Sequence, residues 1–234
     1  MSRGESVHGY RHEAVATVLR VHLPADGGAG SLQVLASRRH RDPFTGLWSL
    51  PSGPLEPDEM LGACVARHLA TKVDLTEIAH LEQLETRSNP ERDPWQRTVG
   101  TAYLGLVPST ADPALPEGSE WLDTAALPEM AFDHASIATS AIDRLRRKLS
   151  YTNLGFALAP PEFTLATLRG IYQAALGYPL SVTNLQRVLT RRGQLEPTGE
   201  LAETTERGGR PAKLFHFTQH SVEITDPFPA LKPR

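Results

Sequence analysis

The run from Leu180 to Leu189 (Leu-Ser-Val-Thr-Asn-Leu-Gln-Arg-Val-Leu) has residue types and a spacing suited to reading nucleic acid. Ser181 is a good N-cap, because its hydroxyl can accept from an amide one turn into the helix. Leu185, Val188 and Leu189 form an apolar stripe at i, i+3 and i+4, and the other face offers Thr183, Asn184, Gln186, Arg187, Thr190 and Arg191. Asn, Gln and Arg pair bidentately with adenine and guanine edges in the major groove, which makes this a candidate recognition helix. Further on, Arg207-Gly208-Gly209-Arg210-Pro211-Ala212-Lys213 makes a tight basic tip between two strand candidates. Arg207, Arg210 and Lys213 are placed to reach phosphates or a minor groove. A solvated amphipathic helix with exposed arginines satisfies the first pattern equally well, so the helix alone leaves both readings open. The basic tip favours DNA.

Around these residues the periodicity lays out an α+β chain. His12–Leu23 reads as a strand, Ala25–Gly30 as a turn and Leu32–Ala36 as the returning strand. Arg38–Pro54 mixes basic, aromatic, Gly and Pro residues without period and predicts a long loop. Glu59–Thr71 predicts a helix, Ile78–Arg87 and Val99–Val107 two strands, and Asp133–Leu149 a second helix with a basic last turn. Leu165–Leu176 and Val182–Arg192 are two short helices joined at Gly-Tyr-Pro, followed by the hairpin ending at Leu214–Phe217. Helix, turn, helix and basic hairpin resemble a winged helix-turn-helix. Two domains are expected, over 1–150 and 151–234, with the proline-rich Ala159-Pro160-Pro161 near the passage between them.

With 24 Lys+Arg against 27 Asp+Glu in 234 residues, the net charge of −3 disfavours an indiscriminate polyanion binder. That average conceals local basic features: Arg187, Arg191, Arg192, Arg207, Arg210 and Lys213. A few phosphate contacts, sensitive to salt, are what such a distribution predicts. A single cysteine, Cys64, excludes an internal disulfide framework and points to a reducing compartment, hence the cytoplasm. No membrane span is expected, since no eighteen apolar residues run uninterrupted.

The segment Gly53–Leu75 resembles the Nudix box, Gly-x5-Glu-x7-Arg-Glu-x-x-Glu-Glu-x-Gly. Gly53, Glu59 and Arg67 match at the right spacing, Leu50-Pro51 precedes them, and Asp42-Pro43-Phe44 and Gly46-Leu47-Trp48 also fit the family. The resemblance implies a Nudix-like α/β/α sandwich over roughly the first 150 residues. In active members of that family, glutamates on one helix face hold a divalent metal against a pyrophosphate. Here the corresponding positions are His68, Thr71 and Lys72, so no metal-dependent hydrolysis, metal or other cofactor is expected. Such a pocket still binds: a positive side chain partly replaces a metal against phosphate. Lys72, Arg67, Arg38 and Arg41 are candidates for the phosphates, and Phe44 and Trp48 for flanking a base. Open alternatives are that Arg67 holds the loop, Trp48 is core, Lys72 is a solvated residue and His68 a packing residue.

Taken together, the chain resembles the Nudix-related transcriptional regulators of NAD metabolism, the NrtR family. The resemblance is carried by Phe132-Asp133-His134-Ala135, Arg144-Leu145-Arg146-Arg147-Lys148-Leu149-Ser150-Tyr151, Asn153-Leu154-Gly155-Phe156-Ala157-Leu158, Phe163-Thr164-Leu165 and Gly209-Arg210-Pro211-Ala212. It implies a dimeric bacterial repressor of NAD synthesis or salvage genes, bound to double-stranded operator DNA and released by ADP-ribose or a related nucleotide. Two rival readings are an ADP-ribose pyrophosphatase with an unusual metal site built from Glu56, Glu59, Glu82 or Glu85, and a binding module whose winged helix contacts protein.

Overall fold

A computed structural model of the chain describes residues 9–26, 28–202, 211–226 and 231. Strand β1 (Arg11–His22) is its organising element. Ala14, Ala16 and Val18 point to one side of the sheet, while Val15, Leu19 and Val21 point to the other, and all six are buried. A strand covered on both faces reads as a nearly continuous apolar run, which is how this segment looks in sequence.

Around β1 the first sheet has the order β3 (Trp48–Ser49), β2 (Ser31–Arg38), β1, β6 (Thr98–Leu106), β5 (His80–Arg87). Strand β4 (Ser52–Pro54) also pairs with β1, and β7 (Ser119–Asp123) with β2. The β1–β6 pair is parallel and the others antiparallel. Helix α1 (Leu61–Val73) covers one face through Cys64, Val65, Leu69 and Val73. Helix α2 (His134–Leu149) covers the other through Ile137, Ala141, Leu145 and Leu149. This is the α/β/α sandwich the sequence implies. The stretch 38–54 is less irregular than expected, since β3 and β4 lie within it. They are two and three residues long, too short to show a period. β7 was equally unforeseen, because its Ser-Glu-Trp-Leu-Asp lies half-buried at an edge and carries no apolar face.

The carboxy-terminal part contains β8 (Phe163–Thr164), α3 (Leu165–Leu176), α4 (Val182–Arg191), β9 (Leu195–Leu201) and β10 (Lys213–Phe217). Its sheet order is β8-β10-β9. The Thr164 hydroxyl accepts from the Thr167 amide at 3.1 Å, and that of Ser181 from the Asn184 amide at 3.4 Å, so both helices are capped from within the sequence. Gly177, at φ 81°, ends α3 in the left-handed conformation that glycine adopts without penalty. The apolar core runs without a break from β1 and α2 into Leu168, Ile171, Tyr172, Leu185, Leu189, Phe215 and Phe217. Among the described residues, no helix is long and apolar enough to cross a membrane.

Candidate functional site

The carboxyl end of α1 faces the loop that follows β2. From it Lys72 donates a hydrogen bond to the carbonyl of Ser52, the first residue of β4. Arg39 donates to the carbonyls of Pro43 at 2.8 Å and Arg41 at 3.4 Å, and its guanidinium lies 4.7 Å from the centre of the Phe132 ring. Lys72, Arg39, Arg41 and Ser52 thereby form a wall shared by two open cavities. One, of about 540 Å³, is completed by residues including Arg11, Glu13, Asp93 and Trp95. The other, of about 480 Å³, is completed by residues including Ser37, Arg38, Ser49, Glu117 and Ser119. Lys72 reaches solvent, yet protein packed around its stem and the like charges of Arg41, Arg39 and Arg11 push its pKa down, against an opposing pull from Glu13. A cation crowded by other cations in a concave wall is relieved by an anion.

The positions that hold metal in the Nudix box have different duties here. The His68 ring packs so closely on Gly53 that a Cβ there would lie 2.1 Å from it, which leaves room only for glycine. Its Nε2 meets the Pro54 carbonyl at 3.1 Å, and burial lowers its pKa. Thr71 donates back to the Arg67 carbonyl at 2.8 Å. With Lys72 beside them, these donors do not fit a divalent cation, which needs several anionic oxygens at short distance. Among the described residues, no three His, Cys, Asp or Glu side chains gather as a metal set.

The residues proposed for the nucleotide part company. Arg38, Arg41 and Lys72 line the cavities. Trp48 does not: it is 6% exposed, belongs to the core and is covered by Arg38, whose guanidinium lies 4.4 Å from its ring centre. It has no free face for a base. Phe44 is not among the residues lining either cavity; it packs edge-on against Phe132 at 4.9 Å. Arg67 is held by two hydrogen bonds to Glu59, at 2.8 and 2.7 Å, and one to the Pro54 carbonyl at 3.1 Å, so in this structure it ties down the loop. The same pair takes the Glu59 carboxyl down to about 2.

Arg39, Arg11 and Trp95 were missed. Arg39 stood in plain view within Arg38-Arg39-His40-Arg41. Trp95 sits in a polar loop whose position depends on Arg92, a buried guanidinium bridging Glu13 at 2.7 Å and Asp133 at 2.9 Å. No local pattern announces contacts between residues so far apart in sequence. Next to Asp133, buried His134 accepts the Leu50 amide on Nδ1 at 3.0 Å, and burial takes its pKa to about 3.

On α4, Thr183, Arg187, Thr190 and Arg191 are exposed, and Asn184 and Gln186 are half-buried. Arg187 donates to the Asn184 Oδ1 at 2.9 Å, which joins two of the side chains expected from the sequence to read bases. Arg192, counted with the basic features in sequence, turns inward: its side chain is 2% exposed and bonds Asp226 at 3.0 Å and the Ser150 carbonyl at 3.1 Å. Lys213 is exposed where β10 begins, opposite Leu201 of β9. Arg207 and Arg210 lie outside the described residues.

A seven-stranded sheet between two helices, joined to a capped helix pair with a small antiparallel sheet, defines a Nudix-fold protein bearing a winged helix. Residues 15–144 match the family model of the NUDIX domain, and residues 155–217 that of the NrtR DNA-binding winged helix domain. The ADPR responsive transcriptional repressor NtrR of Acinetobacter baylyi is 35% identical over 208 residues, 85% of this chain and 80% of the relative. The crystal structure of Shewanella oneidensis NrtR superposes with a TM-score of 0.74 at 31% identity, covering 88% of this chain and 94% of that one. The same protein complexed with a 27mer DNA gives 0.71, at 31% identity and 88% and 93% coverage. Its NUDIX domain complexed with ADP ribose gives 0.51, at 27% identity and 62% and 94% coverage. The chain belongs to the NrtR family.

Proposed function

We propose that this protein is a dimeric cytoplasmic repressor of NAD biosynthesis or salvage genes, released from its operator by ADP-ribose or a related NAD-derived nucleotide. The carrying observation is that Lys72, Arg39 and Arg41 face two cavities where a metal site would stand, in a chain whose α4 leaves its polar face bare. Helix α2 spans the distance between these features. Its 16 residues extend about 24 Å, from Asp133 beside the cationic wall to Ser150, whose carbonyl receives Arg192 at the end of α4. Effector binding shifts α4 by favouring the arrangement of α2 that fits the ligand better, at the expense of the one that fits the operator.

Of the four carboxylates the pyrophosphatase reading calls on, Glu56 is exposed with Arg67 only at 4.0 Å, and the other three are engaged elsewhere. Glu59 is held by Arg67, Glu82 by Lys148 and His80, and Glu85 by Arg87 at 2.6 Å. Incubation with ADP-ribose and Mg²⁺ is therefore expected to release AMP only at trace rates. An electrophoretic shift with a NAD-gene promoter, titrated with ADP-ribose, tests the repressor. No shift at low salt, or one insensitive to every NAD-related nucleotide, would overturn it.

A further inference from the structure

The two cavities share one cationic wall but differ in what else they offer. In the first, the Trp95 side chain is 67% exposed and stands beside Gln96 and Asp93. Its backbone is well fixed: the Trp95 amide donates to Asp93 Oδ1 at 3.0 Å, Thr98 donates to Asp93 Oδ2 at 2.9 Å, and neighbouring Arg92 is buried between Glu13 and Asp133. An indole on an anchored loop, with its ring in solvent, makes a stacking platform whose backbone is already ordered. The other ring in that cavity, Phe132, already has Arg39 over it. The second cavity contains no Phe, Tyr or Trp among its described lining. It offers Ser37 and Ser119, whose hydroxyls meet at 2.7 Å, with Ser49 and the carboxylate of Glu117. Hydroxyls and a carboxylate suit the vicinal hydroxyls of a sugar, and the one ring beside them among the described lining is the small His40 imidazole.

Resting on the repressor reading, we infer that the site takes a nucleoside diphosphate sugar in one direction: diphosphate on Lys72, Arg39 and Arg41, base on Trp95 with Gln96 at its edge, and terminal sugar in the Ser37–Ser49–Ser119–Glu117 chamber. A ligand with one base and one free sugar fills both chambers. A dinucleotide must place its second ring among serine hydroxyls and the Glu117 carboxylate with only the small His40 ring and guanidiniums to stack on, so ADP-ribose binds more tightly than NAD.

Calorimetric titration of the full chain with ADP-ribose, AMP, ribose 5-phosphate and NAD tests the inference. Trp95→Ala is expected to weaken ADP-ribose and AMP by about tenfold or more and to leave ribose 5-phosphate unchanged, while Trp95→Phe retains most of the affinity. Glu117→Gln is expected to weaken ADP-ribose but not AMP. Both side chains are exposed, and an unchanged melting temperature verifies that the variants are folded. Wild-type affinity for ADP-ribose in Trp95→Ala, or tighter binding of NAD than of ADP-ribose, overturns the orientation alone. Failure of the wild-type protein to bind ADP-ribose overturns the effector reading and this inference with it.

Discussion

Lys72 and Trp48 were both placed at the nucleotide in sequence, and the structure separates them by environment. Lys72 sits among Arg41, Arg39 and Arg11 with its amine reaching solvent, whereas Trp48 is 6% exposed beneath Arg38. Lys72→Ala is therefore expected to weaken ADP-ribose binding by about tenfold without lowering the melting temperature, since it removes a repelled charge from the folded state. Trp48→Ala should do the reverse in a denaturant titration, costing about 3–5 kcal/mol of stability as large buried aromatics do. A stable Trp48→Ala protein with lost affinity would reinstate that ring as a ligand contact. His134 supplies a pH dependence. The folded chain protonates it only near pH 3, the unfolded chain near its ordinary 6.5. The unfolded state thus binds the extra proton between these values, so stability is complete above about pH 6.5 and falls on acidification by about 1.4 kcal/mol per pH unit. Carboxylates such as Glu59, held at about 2 by Arg67, withdraw their contribution only below the ordinary 4.5. The interval between about pH 6.5 and 4.5 therefore reports the histidines whose pKa burial lowers, His134 foremost and then the less buried His68. Thermal melts across it should slope in the wild type and slope less in His134→Gln, where only the His68 contribution is left, and equal slopes would refute the assignment.

At the scale of elements, α4 carries two adjacent arginines with opposite fates. Arg191 is 65% exposed, with Asp226 only at 3.9 Å, while Arg192 is buried against Asp226 and the Ser150 carbonyl. Arg191→Ala should reduce the slope of log binding constant against log salt by about one and leave stability nearly unchanged. Arg192→Ala should lower the melting temperature and leave the salt slope unaltered; fluorescence anisotropy over a salt series distinguishes them. This pair also marks the limit of what the sequence discloses. The helices were legible from their caps and stripes: Ser181, the Leu185–Val188–Leu189 face and Gly177 stand where the structure uses them. So was β1, from its β-branched residues Val15, Thr17, Val18 and Val21. What stayed hidden depended on partners distant in the chain. Arg192 is turned inward by Asp226, Arg67 is taken up by Glu59, and β7 exists because β2 offers it an edge. His68, Thr71 and Lys72 at the spacing of the box were plain in sequence, but the wall that Lys72 forms with Arg39, and the indole of Trp95 beyond it, appear only when β2, α1 and the β5–β6 loop come together.

At the scale of the whole molecule, the continuous core makes α2 a shared part of both halves. Ile137, Ala141 and Leu145 lie in the same apolar cluster as Leu168, Ile171 and Leu189. Neither half can adjust its packing on α2 without the other responding, because close-packed interiors transmit displacements and do not absorb them. The coupling must then be reciprocal. If saturating ADP-ribose weakens operator binding by some factor, saturating operator DNA must weaken ADP-ribose binding by the same factor, whatever the path between the sites. The expected size is about 5- to 150-fold, the range spanned by ordinary coupling energies. Anisotropy of labelled operator with and without ADP-ribose gives one factor, and calorimetry of ADP-ribose with and without operator gives the other, at one salt concentration. Arg192→Gln weakens the hold of α4 on the end of α2 and should bring both factors toward one together, even if it also lowers stability. Two factors that differ beyond error would mean that ADP-ribose and DNA meet at a common surface or that a further species takes part. A pair that stays large and equal in Arg192→Gln would show that the message leaves α2 by another route, through the α2–α3 contact where Arg146 donates to the Ala175 carbonyl at 3.3 Å.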